Sequence, residues 1–135
     1  MSYRTLALCL CLTQLSIFNG LFAAENPYAR IAGTYEGEVF NGADMDPVTT
    51  TFTLQPSGRL VGSYTVDEEE GAFSGTLSNI LFEGERIISL EWTDQFGEGL
   101  ALMEFSSDFS SFAGEWTDKD GQNPLPWTGK KIASD

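Results

Sequence analysis

The amino-acid sequence predicts an all-β domain, a single antiparallel up-and-down β-barrel of about eight strands, and three observations carry that expectation. Alternating segments punctuated by turn residues recur at roughly ten-residue spacing, the rhythm of sandwiches and barrels. No stretch after residue 24 sustains a helical period. Glycine and an aromatic residue also recur two positions apart: Gly33/Tyr35, Gly62/Tyr64, Phe73/Gly75, Phe112/Gly114/Trp116 and Trp127/Gly129. Residues i and i+2 of a strand share a face, so each pair sets a ring beside a gap, as a small tapering interior requires. A two-sheet β-sandwich is the alternative.

The strands follow in order. Ile31 to Phe40 carries the Gly33/Tyr35 pair, and Thr50 to Gln55 is stopped by Pro56-Ser57-Gly58, where proline and glycine suit a β-turn. Arg59 to Val66 puts Leu60, Gly62, Tyr64 and Val66 on one face, opposite Arg59, Ser63 and Thr65. Ala72 to Leu81 ends before the tight Glu83-Gly84-Glu85 connection, and Arg86 to Asp94 opposes Ile88, Leu90 and Trp92 to Ser89, Glu91 and Thr93. Glu98 to Ser106 is apolar on both faces apart from Glu104, which leaves its orientation open, and Ser106-Ser107-Asp108 closes it. Phe109 to Asp118 and Leu125 to Ile132 complete the set. Short connections join spatial neighbours, and closing eight such strands removes the sheet edges.

Residues 1–24 read as a signal peptide, with Arg4 as the charged start, an apolar run from Leu6 to Leu15, and Ala23 and Ala24 before Glu25. That run is short of the ~20 residues of a membrane helix, so no transmembrane segment is expected in the mature chain. The expected location is secreted or periplasmic. Residues 25–135 are then one barrel domain, and because Cys9 and Cys11 both lie in the leader, its core must hold it without disulfides.

Twenty carboxylates against seven basic residues give a net charge of −13. Nucleic acid, which needs a basic footprint, is excluded as a partner, and an anionic membrane surface is repelled. A cationic ligand, a basic protein, or high solubility alone remain.

The hairpin from Thr51-Phe52-Thr53-Leu54 to Gly62-Ser63-Tyr64-Thr65, preceded by Gly33-Thr34-Tyr35, resembles the opening strands of the avidin and streptavidin family. Phe112-Ala113-Gly114-Glu115-Trp116 is similar to a later strand of that family. The resemblance covers about a third of the mature chain. It implies an eight-stranded up-and-down barrel with a ligand in its open end, and it places Tyr64 at a ligand-contacting tyrosine. The family's V-G-x-D/N-x-F/W-T pattern near the last strands and its tryptophan-bearing inter-subunit loop are absent, so the architecture carries over and the biotin ligand does not.

No histidine occurs, and no cysteine follows the leader, which removes imidazole bases, histidine triads, thiol nucleophiles and zinc-thiolate sites. Of the remaining acids in strands, Glu91, Glu104 and Glu115 could serve a carboxylate-based enzyme if they faced inward, but Glu91 and Glu115 oppose the Trp92 and Trp116 faces and are expected to be solvated. A non-enzymatic protein is expected, with a carboxylate-based enzyme as the less favoured alternative. In an up-and-down barrel the odd-numbered connections share one end. Those connections hold Asp44 and Asp46, then Asp67 to Glu70, then Asp94, then Asp118 and Asp120, so one mouth is predicted to be acidic.

Trp92, Trp116, Trp127 and Tyr64 fall at the same end. Rings beside carboxylates suit a small cationic or sugar-like ligand, with Tyr64, Trp92, Trp116 and Trp127 giving contact area and Asp67 and Asp94 giving charge. A core plugged by the same rings is the competing expectation. A basic protein bound through the acidic loops is the alternative partner. No cofactor is expected, with one weak exception: Asp118, Asp120 and Asn123 follow the D-x-D-G-x-N rhythm of some calcium loops.

Overall fold

A computed structural model describes residues 25–134, so the predicted signal peptide, residues 1–24, lies outside the described residues. The described chain is a short 3-10 turn, Pro27–Arg30, followed by eight strands: β1 Gly33–Phe40, β2 Met45–Leu54, β3 Leu60–Glu68, β4 Gly71–Phe82, β5 Ile87–Asp94, β6 Gly97–Phe105, β7 Ser111–Asp118 and β8 Leu125–Ala133. Each strand pairs antiparallel with the next, and β8 returns to β1 to close the barrel. The barrel expectation holds, and the sandwich alternative falls.

Period-two alternation fixes which face is inside. Tyr35, Val48, Thr50, Phe52, Leu60, Tyr64, Val66, Ile88, Leu90, Ala101, Met103 and Phe105 are buried, and the residues between them are partly or fully exposed. The ambiguous strand β6 resolves the same way, with Ala101 and Met103 inside and Leu100, Leu102 and Glu104 outside. β4 breaks the period once. Asn79 adopts φ 52°, a left-handed conformation that asparagine tolerates, and the register with β5 shifts between Ser78 and Leu81.

β2 begins five residues earlier than the sequence suggests. Pro47 looks like a strand breaker, but it lies before the first β2–β3 pair, Val48↔Val66, so only its β1 side is laddered there. A proline fits such an edge-like stretch. β7 begins two residues later than expected, because Phe109 takes φ 59° and turns its ring into the interior instead of joining the strand.

One end is sealed by aromatic packing. Tyr35 meets Phe52, Phe105 and Phe112 edge-on at centroid distances of 5.9, 5.9 and 5.4 Å, and Phe109 stacks on Phe105 at 5.5 Å. The Tyr35 hydroxyl donates to the Ile31 carbonyl at 2.7 Å, which ties the 3-10 turn across the opening, and burial pushes its pKa far above the ordinary phenol range. Tyr28 packs on Phe82, and Asn26 Nδ2 reaches the Gly58 carbonyl at 2.9 Å. Each fully buried ring of this kind contributes roughly 1.5–3 kcal/mol.

Candidate functional site at the open end of the barrel

At the opposite end the inner rings are packed, with Trp127, Tyr64 and Trp92 only 3, 5 and 9 % exposed, as the plugged-core expectation has it, but the barrel is not closed above them. A cavity of about 520 Å³ opens there, lined by residues of six strands and their connections. Trp92, Trp116, Trp127 and Tyr64 form its floor and walls, Val39, Val66 and Phe73 complete the apolar surface, and Asn41, Glu68, Glu70, Asp94 and Phe96 stand at the rim. The volume is of the size that holds small organic ligands, ~300–1,000 Å³.

Glycines opposite two of the rings, Tyr64 and Trp92, explain how such large side chains lie across the barrel wall. Tyr64 is paired with Gly75 on β4, and Thr76 with Thr93, so extending that register by one residue sets Gly75 between Tyr64 and Asp94. The phenol lies across Gly75 and donates to Asp94 Oδ2 at 2.6 Å, on the strand beyond. Trp92 is paired with Gly99 in the same way and reaches over it to give its Nε1–H to the Thr117 carbonyl on β7 at 2.9 Å. Trp116 donates from β7 to the Phe40 carbonyl at the end of β1 at 2.9 Å, and Trp127 donates from β8 to Thr50 Oγ1 on β2 at 3.1 Å. All four rings lean two strands onward in one rotational sense. Their packing is edge to face: Trp92 on Trp116 at 5.5 Å and 89°, Tyr64 on Trp127 at 5.1 Å and 71°.

Asp94 is held from both oxygens. Oδ2 accepts the Tyr64 phenol, and Oδ1 accepts the Phe96 backbone N–H at 2.8 Å. Burial first, and then the hydrogen bond and charge of Asp94, raise the Tyr64 pKa well beyond its ordinary value, so this phenol remains a donor. Glu68 is positioned by Asn41 Nδ2, which donates to it at 3.1 Å and to Asp46 at 2.7 Å. The mouth loops are acidic, and Lys119, their basic residue, pairs with Glu98 at 2.7 Å.

Of the residues singled out in the sequence, Tyr64, Trp92, Trp116, Trp127 and Asp94 come together around this cavity. Asp67 does not: it is exposed on the outer face of β3, and its neighbour Glu68 turns inward in its place. β3 runs on to Glu68, and the alternation that buries Tyr64 and Val66 continues with it. Asn41, Phe73 and Phe96 were not anticipated as site residues. Phe73 was visible only as half of a glycine/aromatic pair, while Asn41 and Phe96 sit in turns, where no periodicity marks a direction.

The proposed calcium ligands Asp118, at the end of β7, and Asp120 and Asn123, in the β7–β8 connection, are all exposed. Asp118 Oδ1 accepts the Asp120 N–H at 3.0 Å, so it caps its own turn, and among the described residues no group of three or more acidic side chains converges as a metal site would require. Glu91, Glu104 and Glu115 are exposed on the outer face and do not line the cavity. The outer surface also carries a shallow depression of about 410 Å³ between Asn79, Leu100, Leu102 and Pro124. No helix among the described residues is long and apolar enough to cross a membrane. No protein-family model matches the chain, and a comparison with curated proteins finds no match.

Proposed function

We propose that this protein is an exported, non-enzymatic barrel that binds a small, cationic or sugar-like ligand in the cup formed by Tyr64, Trp92, Trp116 and Trp127. The carrying observation is the contrast between the two ends, one sealed by Tyr35, Phe52, Phe105, Phe109 and Phe112, the other open over about 520 Å³ with four ordered rings. Trp116, Phe73 and Phe96 keep part of their surface open to this space, and a ligand seated over the inner rings would cover it. The leader-like residues 1–24 support export to the periplasm or beyond. The avidin-like hairpin supports a kinship in architecture, without its ligand.

The test is native mass spectrometry and tryptophan emission of residues 25–135 with a set of small aromatic fragments. One-to-one adducts that shift the emission are expected, and Val39→Phe, which fills the cup from its wall, should remove them without unfolding the protein. Adducts that persist in the filled variant would refute the site.

A second proposal, recognition of a basic protein by the mouth loops, draws on Asp44, Asp46, Asp67, Glu69, Asp118 and Asp120, which are exposed or partly exposed around the opening. Such binding would collapse in about 0.5 M salt, where screening shortens to a few ångströms, and would leave the buried indoles unperturbed.

A further inference from the structure

We infer that the ligand is an organic cation, an ammonium carried on an apolar group, with its charge against Asp94 and its apolar part among Trp92, Trp116 and Trp127. This rests on the small-ligand proposal above and chooses between its two chemistries.

The choice follows from where the donors go. The side-chain donors lining the cavity are the three indole N–H groups, the Tyr64 hydroxyl and the Asn41 amide. Every one is engaged: Trp92 with the Thr117 carbonyl, Trp116 with the Phe40 carbonyl, Trp127 with Thr50, Tyr64 with Asp94, and the two hydrogens of Asn41 Nδ2 with Asp46 and Glu68. No Lys or Arg is among the lining residues. What the cavity offers from its side chains is therefore acceptors, namely the remaining lone pairs of Asp94, Glu68, Glu70 and the Tyr64 oxygen, together with aromatic surface.

A carboxylate, a phosphate or a ureido oxygen would enter this cup without a side-chain donor to meet it, and buried unpaired acceptors are costly. Sugar hydroxyls need donors as well as acceptors and would be half satisfied. An ammonium is all donor. It matches carboxylates and the negative faces of aromatic rings together. Asp94 needs no rearrangement to act, because Tyr64 and the Phe96 N–H already hold its two oxygens in place.

The experiment titrates residues 25–135 with 2-phenylethylammonium, phenyltrimethylammonium, the neutral 2-phenylethanol and the anionic 3-phenylpropanoate, read by tryptophan emission and calorimetry. Both cations should bind at least about tenfold more tightly than the alcohol, and the carboxylate least of all. Asp94→Asn should weaken the cations about tenfold or more while leaving the alcohol unchanged, and Glu68→Gln, which leaves the Tyr64–Asp94 contact intact, should weaken the cations by a smaller factor; the alcohol reports that each variant's cup is still formed. Equal binding of alcohol and cations, or tightest binding of the carboxylate, overturns the cation inference and leaves the small-ligand proposal standing. No response to any probe up to about 10 mM, in protein that melts cooperatively, overturns both.

Discussion

Gly75→Ala is the substitution that most directly tests how the cup is built. A methyl group on Gly75 would overlap Tyr64 Cζ and Oη and would lie 2.6 Å from Cε1, where ordinary contact begins at 3.4 Å. The ring must therefore move by roughly 1 Å or rotate, and it has little freedom: it is 5 % exposed, packed on Trp127, and tied to Asp94. Losing a hydrogen bond to a carboxylate costs about 1.5–3 kcal/mol, and overpacking costs about 1–3 kcal/mol. Replacing a strand glycine returns roughly 0.5–1 kcal/mol of backbone entropy. The net is a loss of about 2–5 kcal/mol, against a total stability of ~5–15 kcal/mol for a domain of this size. Urea denaturation followed by tryptophan emission measures it, in the wild type and in a Tyr64→Leu background. With the ring gone, the alanine should be tolerated to within about 0.5 kcal/mol. An equal loss in both backgrounds, or a loss below about 0.5 kcal/mol in the wild type, would show that Gly75 is not there to admit the ring.

Two further outcomes are expected. Thr50→Val removes the acceptor of the buried Trp127 N–H, and an orphaned buried donor should lower stability by about 1–3 kcal/mol in chemical denaturation, with an altered Trp127 emission; an unchanged midpoint would contradict the assignment. Tyr35 and Tyr64 both have pKa values raised by folding, so the stability that comes from keeping these phenols protonated is complete below their unfolded value of 10.0 and is lost as pH rises above it. Phenolate absorbance should therefore appear in two parts, with these two groups ionising only as the barrel unfolds, and Tyr64→Phe should remove one of them from the late phase.

The barrel was legible because strand alternation and turn chemistry agree along most of the chain, from Leu60, Gly62, Tyr64 and Val66 to Pro56 and Gly58. Sequential strand order then let connection parity gather Tyr64, Trp92, Trp116, Trp127 and Asp94 at one end. Ending β3 at Val66 instead of Glu68 was enough to choose Asp67 over its inward neighbour, because a single residue reverses the face. The glycine signal was also partly misassigned. The spacing suggests that a ring and a glycine share one strand, whereas Tyr64, Trp92 and Phe112 lie over glycines of the following strand, namely Gly75, Gly99 and Gly129. Cross-strand partners depend on register, and no single strand records its register. The plug made by Tyr28, Ile31 and Phe109 was equally hidden, since it comes from a 3-10 turn and a left-handed residue outside any periodic segment.

Closure of β8 onto β1 brings Thr34 opposite Ala133, and Asn26 lies against Gly58 in the β2–β3 turn, so both ends of the described chain lie at the sealed base, away from the cup. Cargo, a surface linker or a second copy joined at either terminus would thus hang from the base and leave the mouth facing outward. The same placement makes the domain a candidate for circular permutation: a bridge from residue 134 to residue 25 would join the two ends of the described chain, and new ones could be opened in the tight turn at Gln55 to Gly58 with the cup undisturbed.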